Sequence, residues 1–203
     1  MKAISERMTI PEMIIYTAKF MFEKDITDIA GGNISVKDGD KVYMTPTLAG
    51  NKFHWNIDTD DIVIGSLSKI DELYNHPRFT REGFSHLSIY QAFPFVNAVI
   101  HAHPKYILPF VAKSKSIPWL LNASKSFGEL QYHAEAEQYS QDQANKIVDM
   151  LKGQEERMKK KAAGVLMPRH GVIVASCDLM TALDCVQRMN TNAFTVLAQK
   201  WLE

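Results

Sequence analysis

Val96-Asn97-Ala98-Val99-Ile100-His101-Ala102-His103-Pro104 is an apolar run that closes on two histidines and a proline. The run reads as a strand, and alternate residues of a strand project to one face, so the imidazoles of His101 and His103 converge. Imidazole suits zinc and its first-row neighbours. An H-x-H pair at a strand end is therefore half of a metal site, or else two histidines that share a surface by coincidence. The residues around it decide between the two.

Upstream, Thr80 caps a predicted helix over Arg81 to Ala92 that leads through Pro94 into this strand. Glu82 and His86 are four apart on that helix and share a face. The Glu82 carboxylate can thus reach a metal or a substrate, or simply complement the helix dipole. His86 reads as a supporting or packing residue. Further upstream, Thr9-Ile10-Pro11-Glu12 is a capping box with proline in the first turn, which opens a helix to about Glu23. Gly31-Gly32-Asn33 leads into a short strand, Ile34-Ser35-Val36, and Asp38-Gly39-Asp40 turns it into a hairpin partner, Lys41 to Met44. A strand is predicted to begin in Ile57 to Val63, and another over Ser66 to Leu73.

Downstream, Pro104 to Ser114 reads as a helix kinked at Pro109, and residues 115–138 show no clear period. Ser140 caps a helix to about Leu151. Gly164 to Met167 and Val172 to Ala175 are buried strands around Pro168-Arg169-His170-Gly171, and Asp178 caps a final helix to about Leu202. The pattern is one α/β domain over residues 1–203, with a largely antiparallel sheet and helices packed around it.

Composition narrows the partners. The 23 basic and 23 acidic side chains cancel, so no excess charge draws the chain to nucleic acid or anionic lipid. The basic cluster Arg157 to Lys161 follows Glu155 and Glu156 and reads as a solvated helix end or linker. Cys177 and Cys185 make no disulfide framework, the first residues lack the apolar core of a signal peptide, and no stretch approaches the ~20 apolar residues of a membrane span. A reducing cytoplasm is the expected setting.

His170, in the turn between two buried strands, is a candidate third ligand or a hydrogen-bonded loop histidine. Three histidines without a thiolate suggest a catalytic site, because three protein ligands leave zinc a position for substrate or water. Such a cation beside a carboxylate suits proton abstraction next to a carbonyl, dehydration or hydrolysis. Gly31-Gly32-Asn33-Ile34-Ser35 can offer backbone N–H groups to an anion, and Thr80 and Arg81 can add donors.

Gly-Gly-Asn-Ile-Ser (31–35), Thr-Pro-Thr (45–47), Asp-Asp-Ile-Val (60–63), Glu82 with His86, His-Ala-His-Pro (101–104) and Arg-His-Gly (169–171) occur in this order. Together they resemble the class II aldolase/adducin family, whose members include aldolases of the L-fuculose-phosphate type. The resemblance implies a three-layer α/β/α fold around a largely antiparallel sheet. It also implies a homotetramer with active sites at subunit interfaces. It places His101, His103 and His170 as zinc ligands, with another divalent transition metal as the alternative. Glu82 becomes the acid/base that also approaches the metal, and Gly32, Asn33, Thr47, Thr80 and Arg81 fall where the substrate phosphate is held.

The activity implied is aldol cleavage of a small anionic sugar phosphate through a metal-stabilised enediolate. A same-family dehydratase, resembling methylthioribulose-phosphate dehydratase, or a decarboxylase is the alternative. An adducin-like interaction module without catalysis is a third. The chain departs from the aldolase pattern in three places. Leu48 follows Thr47 where the aldolases carry glycine. Thr80-Arg81 stands where they commonly carry two serines. Asn122 occupies the place of a catalytic tyrosine, for which Tyr132 is a substitute from the same loop.

Overall fold

In the computed structural model, which describes residues 3–202, seven strands form one sheet. They are β1 (Asn33–Asp38), β2 (Lys41–Met44), β3 (Val63–Ser66), β4 (Ala98–Ala102), β5 (Gln131–Tyr132), β6 (Ala162–Met167) and β7 (Gly171–Ser176), in the order β3-β2-β1-β4-β7-β6-β5. Every neighbouring pair is antiparallel except β5 with β6. The run read first from the sequence is the central strand, and its register fixes the site: His101 pairs with Asn33 on one side and Ile173 on the other.

Eight helices accompany the sheet: α1 (Ile10–Glu23), α2 (Ala49–Phe53), α3 (Ile70–Tyr74), α4 (Gly83–Ala92), α5 (Leu108–Ala112), α6 (Gln141–Leu151), α7 (Glu155–Lys160) and α8 (Leu179–Ala198). Strand alternation sends Ile34, Ile100, Ala102, Val172 and Val174 into one apolar layer with α1, α5 and α8. It sends Val99, Val165, Ile173 and Ala175 into a second layer with α4, α6 and α7. The result is the α/β/α sandwich expected. His101 alternates with Ile100 and Ala102, so it faces the α4 side. No helix among the described residues is long and apolar enough to cross a membrane.

Local signals in the sequence set several boundaries. The Thr9/Glu12 capping box and Pro11 open α1, and the side chains of Ser140 and Asp178 accept the N–H groups of Gln143 and Thr181 at the starts of α6 and α8. Cys177 and Cys185 are free thiols, and Arg157, Lys159 and Lys160 lie in the last turn of α7. Part of the N-terminal stretch read for a signal peptide, Met1 and Lys2, lies outside the described residues, as does Glu203.

Other boundaries differ from the sequence reading. The segment at residues 57–63 holds a 3-10 turn, Thr59–Asp61, capped by Asp58, and β3 begins only at Val63. The strand predicted over Ser66 to Leu73 is instead a 3-10 turn followed by α3. The Asp40 carboxylate accepts bonds from the Ser66 and Ser68 hydroxyls and the Ser68 N–H, which turns the chain there. The helix predicted from Arg81 starts at Gly83. Thr80 does not cap it with its side chain; its carbonyl accepts the Gly83 N–H at 3.0 Å, closing a tight turn. Pro109 does not kink a long helix but sits in the first turn of the short α5, where its missing N–H costs no bond. The last helix ends at Ala198 and continues as a 3-10 turn, Gln199–Trp201.

Candidate metal and active site

His101 and His103 leave the end of β4, and His170 comes from the β6–β7 turn, in which Arg169 adopts φ +54°. The antiparallel β4–β7 pairing carries that turn to the end of β4. The three ring centroids lie 5.0, 4.7 and 5.2 Å apart, and one ligating nitrogen from each falls within 4.8 Å of the others. This triangle can hold a metal ion.

The partners of the rings set which nitrogens carry lone pairs. His101 Nδ1 donates to the Val172 carbonyl at 3.1 Å, and His103 Nδ1 donates to Asp28 Oδ1 at 3.1 Å. Each bond fixes the proton on Nδ1 and leaves Nε2 as a lone-pair donor. Both Nε2 atoms are buried without a hydrogen-bond partner. Burial pushes His101 well below the ordinary imidazole range and moves His103 in the same direction.

Glu82 completes the cluster from the N-cap position of α4, where the helix dipole favours a carboxylate. It is 1% exposed. Its Oε1 lies 3.4 Å from His101 Nε2 and 3.2 Å from His170 Nε2, and its Oε2 accepts a bond from the Asn33 amide. Burial alone would raise the carboxyl, but His101, His170 and Asn33 reverse this and hold it well below the usual carboxylate range. An anionic oxygen therefore faces an imidazole lone pair at 3.4 Å. Such a pair wants a cation, so the donor set fits a divalent metal.

Space for these rings depends on two glycines. A Cβ on Gly31 would lie 2.5 Å from His103 Cε1, and one on Gly171 would lie 2.3 Å from the Ala102 carbonyl oxygen.

Of the predicted anion-binding residues, Gly32 and Asn33 enter β1 beside His101, and Asn33 contacts Glu82 directly. Thr80 and Arg81 share the turn before Glu82, and Arg81 Nη2 donates to the Ala30 carbonyl at 2.9 Å. Thr47 is tied to the same region through its N–H, which donates to the Arg78 carbonyl at 2.9 Å. The side chain of Arg78 in turn reaches Asp61 at 3.4 Å, linking the Asp-Asp-Ile-Val segment to that turn. Leu48 has φ +62°, the left-handed backbone that glycine adopts most easily.

His86 is a buried packing residue, not a fourth imidazole of the cluster. Its Nδ1 lies 2.7 Å from Ser35 Oγ, which also meets the Tyr90 hydroxyl at 2.7 Å. Asn122 opens a 3-10 turn, Asn122–Phe127, and Tyr132 sits 42% exposed on the edge strand; neither contacts the three histidines. Two contributors escaped the sequence reading. Asp28 also accepts the N–H groups of Ala30 and Gly31, and its spacing before Gly31 is the one local signal. Tyr139 places its ring edge-on to His170 and under the Arg81 guanidinium, with no sequence signal to announce it.

Comparison with known proteins agrees with this geometry. The profile of the Class II Aldolase and Adducin N-terminal domain matches residues 12–197. The L-fuculose phosphate aldolase of Methanocaldococcus jannaschii is 28% identical over 186 residues, which is 90% of this chain and 92% of that protein. The 3-oxo-tetronate 4-phosphate decarboxylase of Haemophilus influenzae is 25% identical, covering 93% of this chain and 89% of that protein. The structure of L-fuculose-1-phosphate aldolase from Thermus thermophilus superposes with a TM-score of 0.78 at 14% identity, covering 95% of each chain.

Proposed function

The chain belongs to the class II aldolase and adducin family, and on that basis we propose that it is a zinc-dependent aldolase of a small sugar phosphate. We take its 203 residues as one domain, working in the cytoplasm as a homotetramer with active sites at subunit interfaces. The observation that carries this reading is the ionised Glu82, 3.4 Å from the lone-pair-bearing Nε2 of His101 and 3.2 Å from His170 Nε2.

His101, His103 and His170 hold the metal, with Glu82 close enough to join them. A divalent cation there supplies electrophilic stabilisation to negative charge that develops on substrate oxygens. The chain's own residues do the rest. Cleavage breaks one carbon–carbon bond as a substrate hydroxyl loses its proton and becomes an aldehyde. The other fragment keeps the electron pair and takes up a proton at carbon. Glu82, a carboxylate at rest, is placed to take up the hydroxyl proton and return it to that carbon, and the Asn33 amide holds its Oε2. Gly32, Asn33, Thr47, Thr80 and Arg81 surround the anionic end of the substrate. Arg81 donates to the Ala30 carbonyl, stacks on Tyr139 and, among the described residues, pairs with no acidic side chain.

A second reading, decarboxylation of a related keto-acid phosphate, is favoured by the Haemophilus relative and by that unpaired guanidinium. Metal analysis with a screen of ketose and aldose phosphates tests both. Release of two carbonyl fragments identifies an aldolase, carbon dioxide a decarboxylase, and water alone a dehydratase. Absence of bound metal, with no response to added zinc, would point to an interaction module instead. In His103→Ala, stoichiometric zinc is expected to disappear; near-normal zinc content there would remove the ligand assignment.

A further inference from the structure

Tyr139 is held in a conformation that glycine favours, with φ +64°. A bulky residue in the left-handed region is strained, and strain of this kind persists only where the surroundings over-determine it. Here they do. The Tyr139 N–H donates to Gln143 Oε1 at 3.1 Å, Gln143 is buried in α6, and Ser140 caps that helix in the next position. Gln141 Nε2 bonds Ser88 Oγ at 3.1 Å, tying the start of α6 to α4. The strained turn therefore packs beside α4, and the Tyr139 ring reaches Arg81, two residues ahead of that helix.

The Tyr139 ring closes a circuit there. Its centroid is 5.8 Å from that of His170, at an interplanar angle of 89°, and the Arg81 Cζ lies 5.2 Å from the same Tyr139 centroid. Arg81 precedes Glu82, and Glu82 returns to His170 at 3.2 Å. The half-buried guanidinium has an aromatic face beneath it and one bond to Ala30, while its remaining N–H groups meet no acid. A stacked, anchored guanidinium loses little freedom when an oxyanion takes it bidentately.

We infer that Tyr139 is a positioning residue that sets Arg81 as an oxyanion receptor beside the metal centre, which selects substrates bearing a phosphate or carboxylate. This rests on the reading of Arg81 as a substrate contact, and its ring, not its hydroxyl, does the work. Substitution by glycine removes the ring but relieves the backbone, so loss of binding cannot be put down to misfolding.

The test is equilibrium dialysis of labelled inorganic phosphate against the zinc-loaded protein. Wild type is expected to bind phosphate in the millimolar range or tighter, and Arg81→Ala to lose at least tenfold. Tyr139→Phe should stay within about threefold of wild type. Tyr139→Gly should lose at least tenfold while keeping its zinc and a melting temperature no lower than that of Tyr139→Ala. Competition by acetate at equal concentration would identify a carboxylate grip, and its failure a phosphate grip; either fits the receptor. Wild-type affinity in Tyr139→Gly alongside a weakened Arg81→Ala would overturn the inference alone. Wild-type affinity in Arg81→Ala, or no phosphate bound by wild type, would overturn the Arg81 reading and the inference with it.

Discussion

Replacing Gly31 with alanine isolates the metal centre from the fold. The new Cβ would lie 2.5 Å from His103 Cε1 and 2.9 Å from its Nε2, against ordinary contacts of 3.4–4 Å. The ring must therefore retreat by about 1 Å. A histidine nitrogen binds zinc at about 2.0–2.1 Å, with tolerance of roughly 0.2 Å, so that retreat exceeds what the coordination bond accepts. Disturbing a ligand's orientation in this way weakens metal binding about 10–100-fold, or about 1.4–3 kcal/mol. The metal-free protein should change less, because it has no coordination bond to lose and Gly31 is not in the left-handed backbone that would strain an alanine. Zinc affinity is measured by competition with a chelating dye, and the fold by thermal melting of the metal-free protein. We expect the affinity to fall by at least tenfold while the melting temperature moves by no more than about 2 °C. Unchanged affinity in a folded Gly31→Ala protein would show that His103 does not bind metal in the orientation described.

Three further outcomes follow from the same geometry. Glu82→Gln should keep its metal and lose about 10²–10⁴-fold in turnover, the range of a missing acid/base; near-normal turnover would take the proton transfer away from Glu82. Asp28→Ala frees the Nδ1 proton of His103 and should weaken zinc about 10–100-fold in the same dye competition, whereas wild-type affinity would mean that the packing of the His103 ring suffices. Burial lowers His86 from its ordinary 6.5 to about 4, so the unfolded chain takes up a proton on this residue before the folded one does. Its contribution is complete above about pH 6.5 and is lost as the pH falls toward 4, amounting to about 2 kcal/mol at pH 5. Urea titrations at pH 7 and pH 5 should show that much less acid sensitivity in His86→Gln than in wild type; equal slopes would contradict the assignment.

What could be read from the sequence was what short-range chemistry dictates. Caps at Thr9, Ser140 and Asp178 satisfy N–H groups three residues away, and the alternation around His101 needs only a strand. The segment at residues 115–138 was opaque because its order is borrowed. Asn192, seventy residues on in α8, accepts the N–H groups of Leu120 and Leu121 and donates to the Pro118 carbonyl. The α3 segment was misread because the group that turns the chain ahead of it, Asp40, lies in the distant turn between β1 and β2. In the site, the histidines and Glu82 were visible as spacings, whereas Asp28 reaches His103 across 75 residues and Tyr139 reaches Arg81 only through the packing of α6 on α4.

The position of β4 between β1 and β7 has a consequence for how this chain can change. The histidines stand on the most enclosed strand of the sheet and on a hairpin locked to it, so their geometry is inherited from the whole core. Leu48, Arg81 and Tyr139 stand outside every strand, on segments that join one element to the next. On the proposed function, selection can exchange one substrate for another by rewriting such turns, with the histidine cluster carried along unaltered.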